Sequence, residues 1–418
     1  MFPPGGWGWA MRHRVVITGL GIVSSLGCEA EAVTDALYRG VSGIIVDSER
    51  QARGFLSPLT GVVKNFKPKF PLSRKQRKTL PEFGEWAAEA AYQALHQANL
   101  DLESIRNEET GIIFGCDSSC IAAIEQVESL ARTNATTTLG SGQVFRSMTS
   151  CVSMNLNTLL QTRGACWTIS GACASGGHAI GQAADLIRQG RQDRVICGGA
   201  QEINWQSMCS FDGLGAFSTC IDVPEKASRP FDAGRNGLVP SGGAAALILE
   251  RYDLAKARGA AILGEVMGYG FSSDGENISV PSPDGIGRAM RMAMKEAGFT
   301  IADVAYLCAH ATSTPVGDAM EARNILDLFG KKSVPVSSIK ALTGHELWMS
   351  GSAQVVYTCL MAHNGFSVAN HNFMEGDAVT AELNILRERL DTPPRNALCN
   401  SAGFGGTNSC LALAFSGR

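Results

Sequence analysis

The sequence predicts an α/β fold with a buried sheet, and three observations carry that prediction. Short apolar, β-branched runs recur at 15–18, 111–114, 194–197 and 244–249. Helical stretches separate them, as at 31–39, 81–98 and 174–188, and glycines follow several runs directly. Runs that are apolar throughout, rather than alternating, belong to strands covered on both faces. Strand and helix in alternation then give a layered α/β protein.

In chain order, the first run leads into Gly19, Gly21 and Gly27, read as a tight turn before the first helix. Gly19-Leu20-Gly21 lacks the third glycine of a dinucleotide-binding fingerprint. A charged helix at 251–259 closes the first half. The alternation restarts with a strand at 261–266, a helix at 287–297 and strands at 305–308, 335–338 and 397–399. We therefore expect an N-terminal half over 11–258 and a C-terminal half over 259–418. The tail at 1–10 has neither the basic start nor the apolar length of a secretory signal. The later strands run into polar, glycine-containing loops, and in such sheets sites gather at the carboxyl ends of strands.

The 418 residues include 36 lysines and arginines against 39 aspartates and glutamates, a formal charge of −3. That balance excludes attraction to nucleic acid by bulk charge. With 45% hydrophobic residues, 18% charged ones and 47 glycines, the chain is globular rather than disordered. No apolar run reaches the roughly 18 residues of a membrane helix, so no membrane partner is expected. The 13 cysteines are odd in number and scattered, as reduced thiols of a cytoplasmic protein would be. Cys116 and Cys120 form the one close pair and lack a second pair at zinc-like spacing, so no metal site is expected.

Candidate chemistry concentrates in three loops. At 168–178 (TISGACASGGH) a strand-like run breaks at small residues and a helix begins, which presents Cys173 at a helix N-terminus. The positive end of the helix dipole there favours thiolate and lowers a cysteine's pKa. A buried small hydrophobe, the reading for most of the other cysteines, is the alternative, and this segment alone leaves both open. The strand at 305–308 leads to His310, and the strand at 335–338 leads to Lys340 and His345. A thiol to carry an acyl group, imidazoles to steady an oxyanion or move a proton, and a cation to tune them form a coherent set for acyl transfer.

Six segments occur in order: VVITGLGIVS at 15–24, GACAS at 171–175, KASRPFD at 226–232, then 310–321, 340–345, and NSAGFGGTN at 400–408. Through them the chain, from about Arg12 onward, resembles the β-ketoacyl-acyl-carrier-protein synthases of the type I/II, Cys-His-His class in the thiolase-like superfamily. The resemblance implies a thiolase-like fold, with two related βαβαβαββ halves stacked as α-β-α-β-α layers. It also implies a 3-oxoacyl-acyl-carrier-protein synthase, an acyltransferase of fatty-acid elongation that performs a decarboxylative Claisen condensation with a malonyl carrier thioester. No cofactor is implied beyond the carrier's own phosphopantetheine, and the family's homodimer forms through the first-half sheet edge.

Position by position, the resemblance implies that Cys173 accepts the acyl chain while His310 and His345 bind the malonyl thioester and stabilise its enolate. The backbone N–H groups of Cys173 and Phe404 would hold the tetrahedral oxyanion, with Phe404 also gating the acyl pocket. Lys340 and Glu321 match a buried charged pair, Thr312 and Thr314 match threonines that bond the pantetheine arm, and Asp318 reads as a structural partner of its loop. The basic run at 64–78 contains no acidic residue. Within it, Arg74, Lys75 and Lys78 fall where an acidic carrier docks in the family.

Three departures bear on substrate choice. Trp348 and Met349 stand where the family has glycine and alanine, adding bulk beside the second histidine that could reshape the acyl pocket or the dimer contact. Ala402 replaces a phenylalanine near the gate, and Ala311 replaces glycine after the first histidine. Other readings are a ketosynthase of a specialised polyene or polyketide route and a non-catalytic chain-length-factor partner. Retention of Cys173, His310, His345 and Lys340 argues against the latter. Neither Cys399 nor Cys410 sits in the Cys-Gly-Gly-Gly context of a degradative thiolase, and His345 stands where acyl-CoA-priming synthases carry asparagine.

Overall fold

The computed structural model describes residues 13–415, and the tail expected at 1–10 lies outside them. Among the described residues the strands are β1 (Val15–Val23), β2 (Ile44–Val46), β3 (Leu59–Gly61), β4 (Thr110–Gly115), β5 (Cys166–Ile169), β6 (Arg194–Gln201), β7 (Gly243–Arg251), β8 (Gly264–Ser273), β9 (Tyr306–Cys308), β10 (Pro335–Ser337), β11 (Asn384–Ile385), β12 (Asn396–Gly403) and β13 (Thr407–Ala414). Apart from the small β2–β3 hairpin they form one 11-stranded sheet, ordered β11-β10-β9-β12-β13-β8-β1-β7-β6-β4-β5.

That order contains a repeat. In the first half β1 pairs antiparallel with β7, β7 antiparallel with β6, and β6 and β5 run parallel to β4. In the second half β8 pairs antiparallel with β13, β13 antiparallel with β12, and β12 and β10 run parallel to β9. The halves join edge to edge where Val16 and Ile17 of β1 face Glu265 and Gly264 of β8.

Helices Ser175–Arg188 and Ser350–Asn364 pack on each other and on strands of both halves, within one buried cluster holding Ile180, Ile187, Val356, Leu360, Leu247 and Leu411. Helix Glu82–Gln97 covers the outer face of the first half, and Gly285–Ala297 that of the second. The layers are therefore helix, strand, helix, strand, helix, as the resemblance implies.

The reading of the first glycines needs correction. Gly19 and Gly21 do not form a turn: both lie inside β1, and the chain continues as strand to Val23. A β-carbon at either would collide with the carbonyl oxygen of Ala94 or Ala90, so their smallness lets helix Glu82–Gln97 lie directly on the strand. The second half also contains elements that periodicity did not disclose. Residues 350–361 of the helix Ser350–Asn364 are all buried, so it shows no alternation of apolar and polar faces.

Candidate active site

Beyond β5 the chain passes Gly171 and makes a tight turn at Ala172–Ala174 before helix Ser175–Arg188. Ala172 has φ +45°, a left-handed conformation costing a non-glycine residue roughly 1–3 kcal/mol. Ser175 holds it there: its Oγ accepts from Gly171 N–H at 2.9 Å and donates to the Ala172 carbonyl at 2.6 Å. Cys173 sits on this elbow at 6% exposure. The expectation of a dipole-lowered thiol pKa is overturned. The helix starts two residues later, and burial pushes the Cys173 thiol up to about 12, with nearby Asp117 adding to the rise and Lys340 opposing it.

His310 follows β9, and His345 follows β10 and the short helix Lys340–Thr343. Their rings lie 5.1 Å apart at 84°. Each has a buried Nδ1 without a protein hydrogen-bond partner. Burial, and then Lys340, push both well below the usual histidine range, so both are neutral imidazoles, able to donate one N–H each. The His345 backbone is fixed by N–H donation to the Val239 carbonyl at 2.6 Å and by its own carbonyl accepting from Ser241 N–H at 2.8 Å.

Lys340 is 2% exposed, and its Nζ donates to Gln354 Oε1 at 3.1 Å. Gln354 donates in turn to the carbonyls of Ala309 at 3.1 Å and Asn400 at 3.0 Å. Burial lowers the Lys340 pKa, while Cys308, Glu321, Glu346 and Cys173 raise it. Lys340 and Glu321, read as a buried charged pair, are both buried and act on each other through their field, but among the described residues no ion pair within 4.0 Å joins them. Glu321 instead accepts from the backbone N–H of His310 at 2.9 Å and Ala311 at 2.7 Å, and from Asn400 Nδ2 at 3.0 Å. It therefore braces the first histidine loop and reaches Lys340 only through the longer-range field.

Asp318 is the structural residue of its loop. It accepts from the backbone N–H of Phe231 at 2.8 Å, Ser313 at 3.2 Å and Thr314 at 3.3 Å. Phe231 and Ser313 have φ of +65° and +72°, so one carboxylate holds two left-handed residues. Burial pushes Asp318 up to about 7 against these donors and Arg235.

Cys173, His310, His345, Thr312, Thr314 and Phe404 line one cavity of about 410 Å³. The Thr312 and Thr314 hydroxyls are 3.1 Å apart. Phe404, 39% exposed, follows β12 and stacks on Phe211 at 6.2 Å and 16°. A β-carbon on Gly403 would press on the Ala172 side chain and Cys173 N, so glycine lets this loop approach the elbow. Gly405 and Gly406, with φ of +78° and +72°, make the turn after it.

Arg74, Lys75 and Lys78 are exposed on or at the end of the short helix Arg74–Arg77, away from the cavity lining. The surrounding run is partly neutralised in space: Lys69 pairs with Glu29 at 2.7 Å and Arg77 with Glu85 at 2.8 Å. Trp348 and Met349 are both buried, while Ala402 lines the cavity. Sequence reasoning missed Gln354 and Phe211, which lie in segments assigned no role. It quoted Asn400 within a motif without seeing that it holds Glu321.

Residues 12–255 match the beta-ketoacyl synthase N-terminal domain family and residues 263–374 the beta-ketoacyl synthase C-terminal domain family. The chain is 38% identical over 403 residues to 3-oxoacyl-[acyl-carrier-protein] synthase 1 of Escherichia coli, covering 96% of this chain and 98% of that one. It is similar, at TM-score 0.92 and 31% identity, to a crystal structure of a beta-ketoacyl synthase from Burkholderia phymatum, covering 97% of this chain and 100% of that one. One chain in the structure of a type II polyketide synthase acyl-carrier protein in complex with its hexaketide-bound ketosynthase aligns at TM-score 0.86 and 27% identity, covering 97% of this chain and 100% of that one.

Proposed function

The chain belongs to the β-ketoacyl synthase family, and from that membership we infer a 3-oxoacyl-acyl-carrier-protein synthase of fatty-acid elongation. The observation that carries the mechanism is the single cavity into which Cys173, His310 and His345 converge, with Lys340 buried behind them.

The Cys173 sulfur attacks the carbonyl of an acyl carrier thioester. The carrier's thiol leaves with the proton, and the acyl group remains on Sγ. A malonyl carrier thioester then enters along Thr312 and Thr314. The neutral imidazoles of His310 and His345 each present an N–H to the thioester oxygen, where enolate charge develops as carbon dioxide departs. Donors fixed in place by Glu321, Val239 and Ser241 need no reorganisation at that moment. The enolate carbon attacks the acyl-Cys173 carbonyl. The tetrahedral oxyanion lies against the backbone N–H groups of Cys173 and Phe404, a placement supported by the close approach of Gly403 to Cys173 N. Collapse breaks the C–S bond, releases the 3-oxoacyl carrier, and returns the thiolate, which takes one proton. Lys340 supplies positive charge to sulfur while it is anionic.

Replacing His310 or His345 by alanine tests the division of labour. Each variant is expected to lose roughly a hundredfold or more in release of carbon dioxide from a malonyl carrier, while Cys173 still takes up an acyl group. Undiminished decarboxylation in both variants contradicts the assignment.

We read the carrier as docking on Arg74, Lys75 and Lys78, which are exposed and unpaired with any described carboxylate within 4.0 Å. Reversing their charges should raise KM for carrier-bound substrate and flatten its salt dependence; an unchanged KM removes the docking role. The boundary near 258 divides a half bearing the nucleophile from a half bearing the histidines, a division supported by the repeated strand order. A homodimer through β5 is supported by its position at the sheet edge, with Trp167 40% exposed. Among the described residues no helix is long and apolar enough to cross a membrane, and all 13 cysteines are free thiols. The free thiols support a cytoplasmic setting.

A further inference from the structure

With the carrier's arm along Thr312 and Thr314, the acyl group left on Cys173 is directed toward the apolar side of the nucleophile, where Phe211 and Leu347 line the cavity. That side is an apolar cluster to which Cys173, Phe114, Ile203, Met208, Leu347 and Trp348 all belong. The turn Leu347–Met349 packs directly on the elbow Ala172–Ala174. Trp348 thus lies on the turn packed against the nucleophile's elbow, and the residue is 6% exposed.

The indole is held from several directions. Its Nε1–H donates to Ser118 Oγ at 3.2 Å, and Ser118 adjoins Asp117, which takes a hydrogen bond from the Ala172 backbone. Its backbone N–H donates to Gln201 Oε1 at 3.3 Å. Its carbonyl leaves no room behind the turn, because a β-carbon at Gly176 or Gly199 would already stand 3.1 Å from it. One flank of the indole meets Phe211 at 6.3 Å and 52°, and Phe211 stacks in turn on the gate residue Phe404. Leu347 is held at φ +45°, a strained conformation that aims the turn at the elbow. Phe211 and Leu347 line the cavity while Trp348 stands behind them.

We propose that Trp348 is the end wall of the acyl pocket and restricts the chain carried on Cys173 to short acyl groups. The proposal rests on the ketosynthase reading above. A longer chain would have to displace a packed indole, break its hydrogen bond to Ser118 and disturb the ring against which Phe404 rests.

The test is the rate at which carrier thioesters of saturated acyl groups, from acetyl to palmitoyl, load Cys173, followed by intact mass. It is run on wild type, Trp348→Gly and Trp348→Phe. Wild type is expected to load acetyl and butyryl groups and to fall off steeply by decanoyl. In Trp348→Gly the decanoyl-to-butyryl rate ratio should rise roughly tenfold or more, because each excluded methylene is worth a large factor in a closed apolar pocket. Trp348→Phe should fall between them, and it also serves if the glycine variant does not fold. A wild type that loads palmitoyl as readily as butyryl, or a rate ratio unmoved in Trp348→Phe, overturns the proposal. Failure of the ketosynthase reading looks different: wild type then loads no acyl group of any length and releases no carbon dioxide from a malonyl carrier.

Discussion

A thiol pushed up to about 12 is protonated at neutral pH. Relative to an ordinary cysteine it presents about a thousandfold less thiolate. Cys173 in the resting protein should therefore react with iodoacetamide more slowly than free cysteine, with a rate that climbs through the alkaline range. Lys340→Met should slow it further by removing the cation that favours the anion. Alkylation at the rate of free cysteine at pH 7 contradicts this account. Of the neighbouring carboxylates, Asp117 adds to the rise of the thiol, while Asp318 and Glu321 act on backbone. Asp318→Ala would leave two buried N–H groups and one part-buried one without this acceptor, a loss of about 2–3 kcal/mol in urea unfolding at roughly 1 kcal/mol each; a change under 1 kcal/mol would show that the loop holds itself. The identities of Cys173, His310, Lys340 and His345 were legible in the sequence because chemistry needs those side chains at strand ends. Their state was not. The raised thiol and the missing Lys340–Glu321 contact depend on burial and on Gln354 and Asn400, which are distant in sequence and of a neutral type that gives no local signal.

Helix Ser175–Arg188 begins two residues after the nucleophile and ties the halves through His178. The His178 ring bonds the Tyr269 hydroxyl on β8 at 2.7 Å through Nδ1 and Thr407 Oγ1 on β13 at 2.8 Å through Nε2. Burial pushes His178 down from 6.5 to about 4. The unfolded chain binds a proton below pH 6.5 that the folded chain refuses until about pH 4, so stability is lost as pH falls through that window. Between pH 7 and 5 the loss from this one residue is about 2 kcal/mol. Urea unfolding of His178→Gln should show a pH dependence smaller by that amount; an unchanged dependence places the proton elsewhere. At this scale the amphipathic helices and uniformly apolar strands were readable. The glycines of β1 and the helix Ser350–Asn364 were not, because a close helix approach and burial on all faces leave no periodic trace.

Across the whole molecule, the repeat of strand order places β5, β9, β10 and β12 so that the loops after them meet at one cavity. Two halves with little residue-level similarity thus divide the work, one supplying the sulfur and the other the imidazoles and the cation. The sequence showed the alternation restarting after 259 but not the edge-to-edge joining of β1 and β8, since that contact involves only two residue pairs. The central claim is that Cys173 carries the acyl group between the two carriers. It is tested most directly by intact mass after incubation with a butyryl carrier thioester. Wild type should gain one butyryl group, lose it on addition of malonyl carrier with release of the 3-oxoacyl product, and Cys173→Ala should gain none. An unlabelled wild type, or a Cys173→Ala protein labelled to the same extent, contradicts the account.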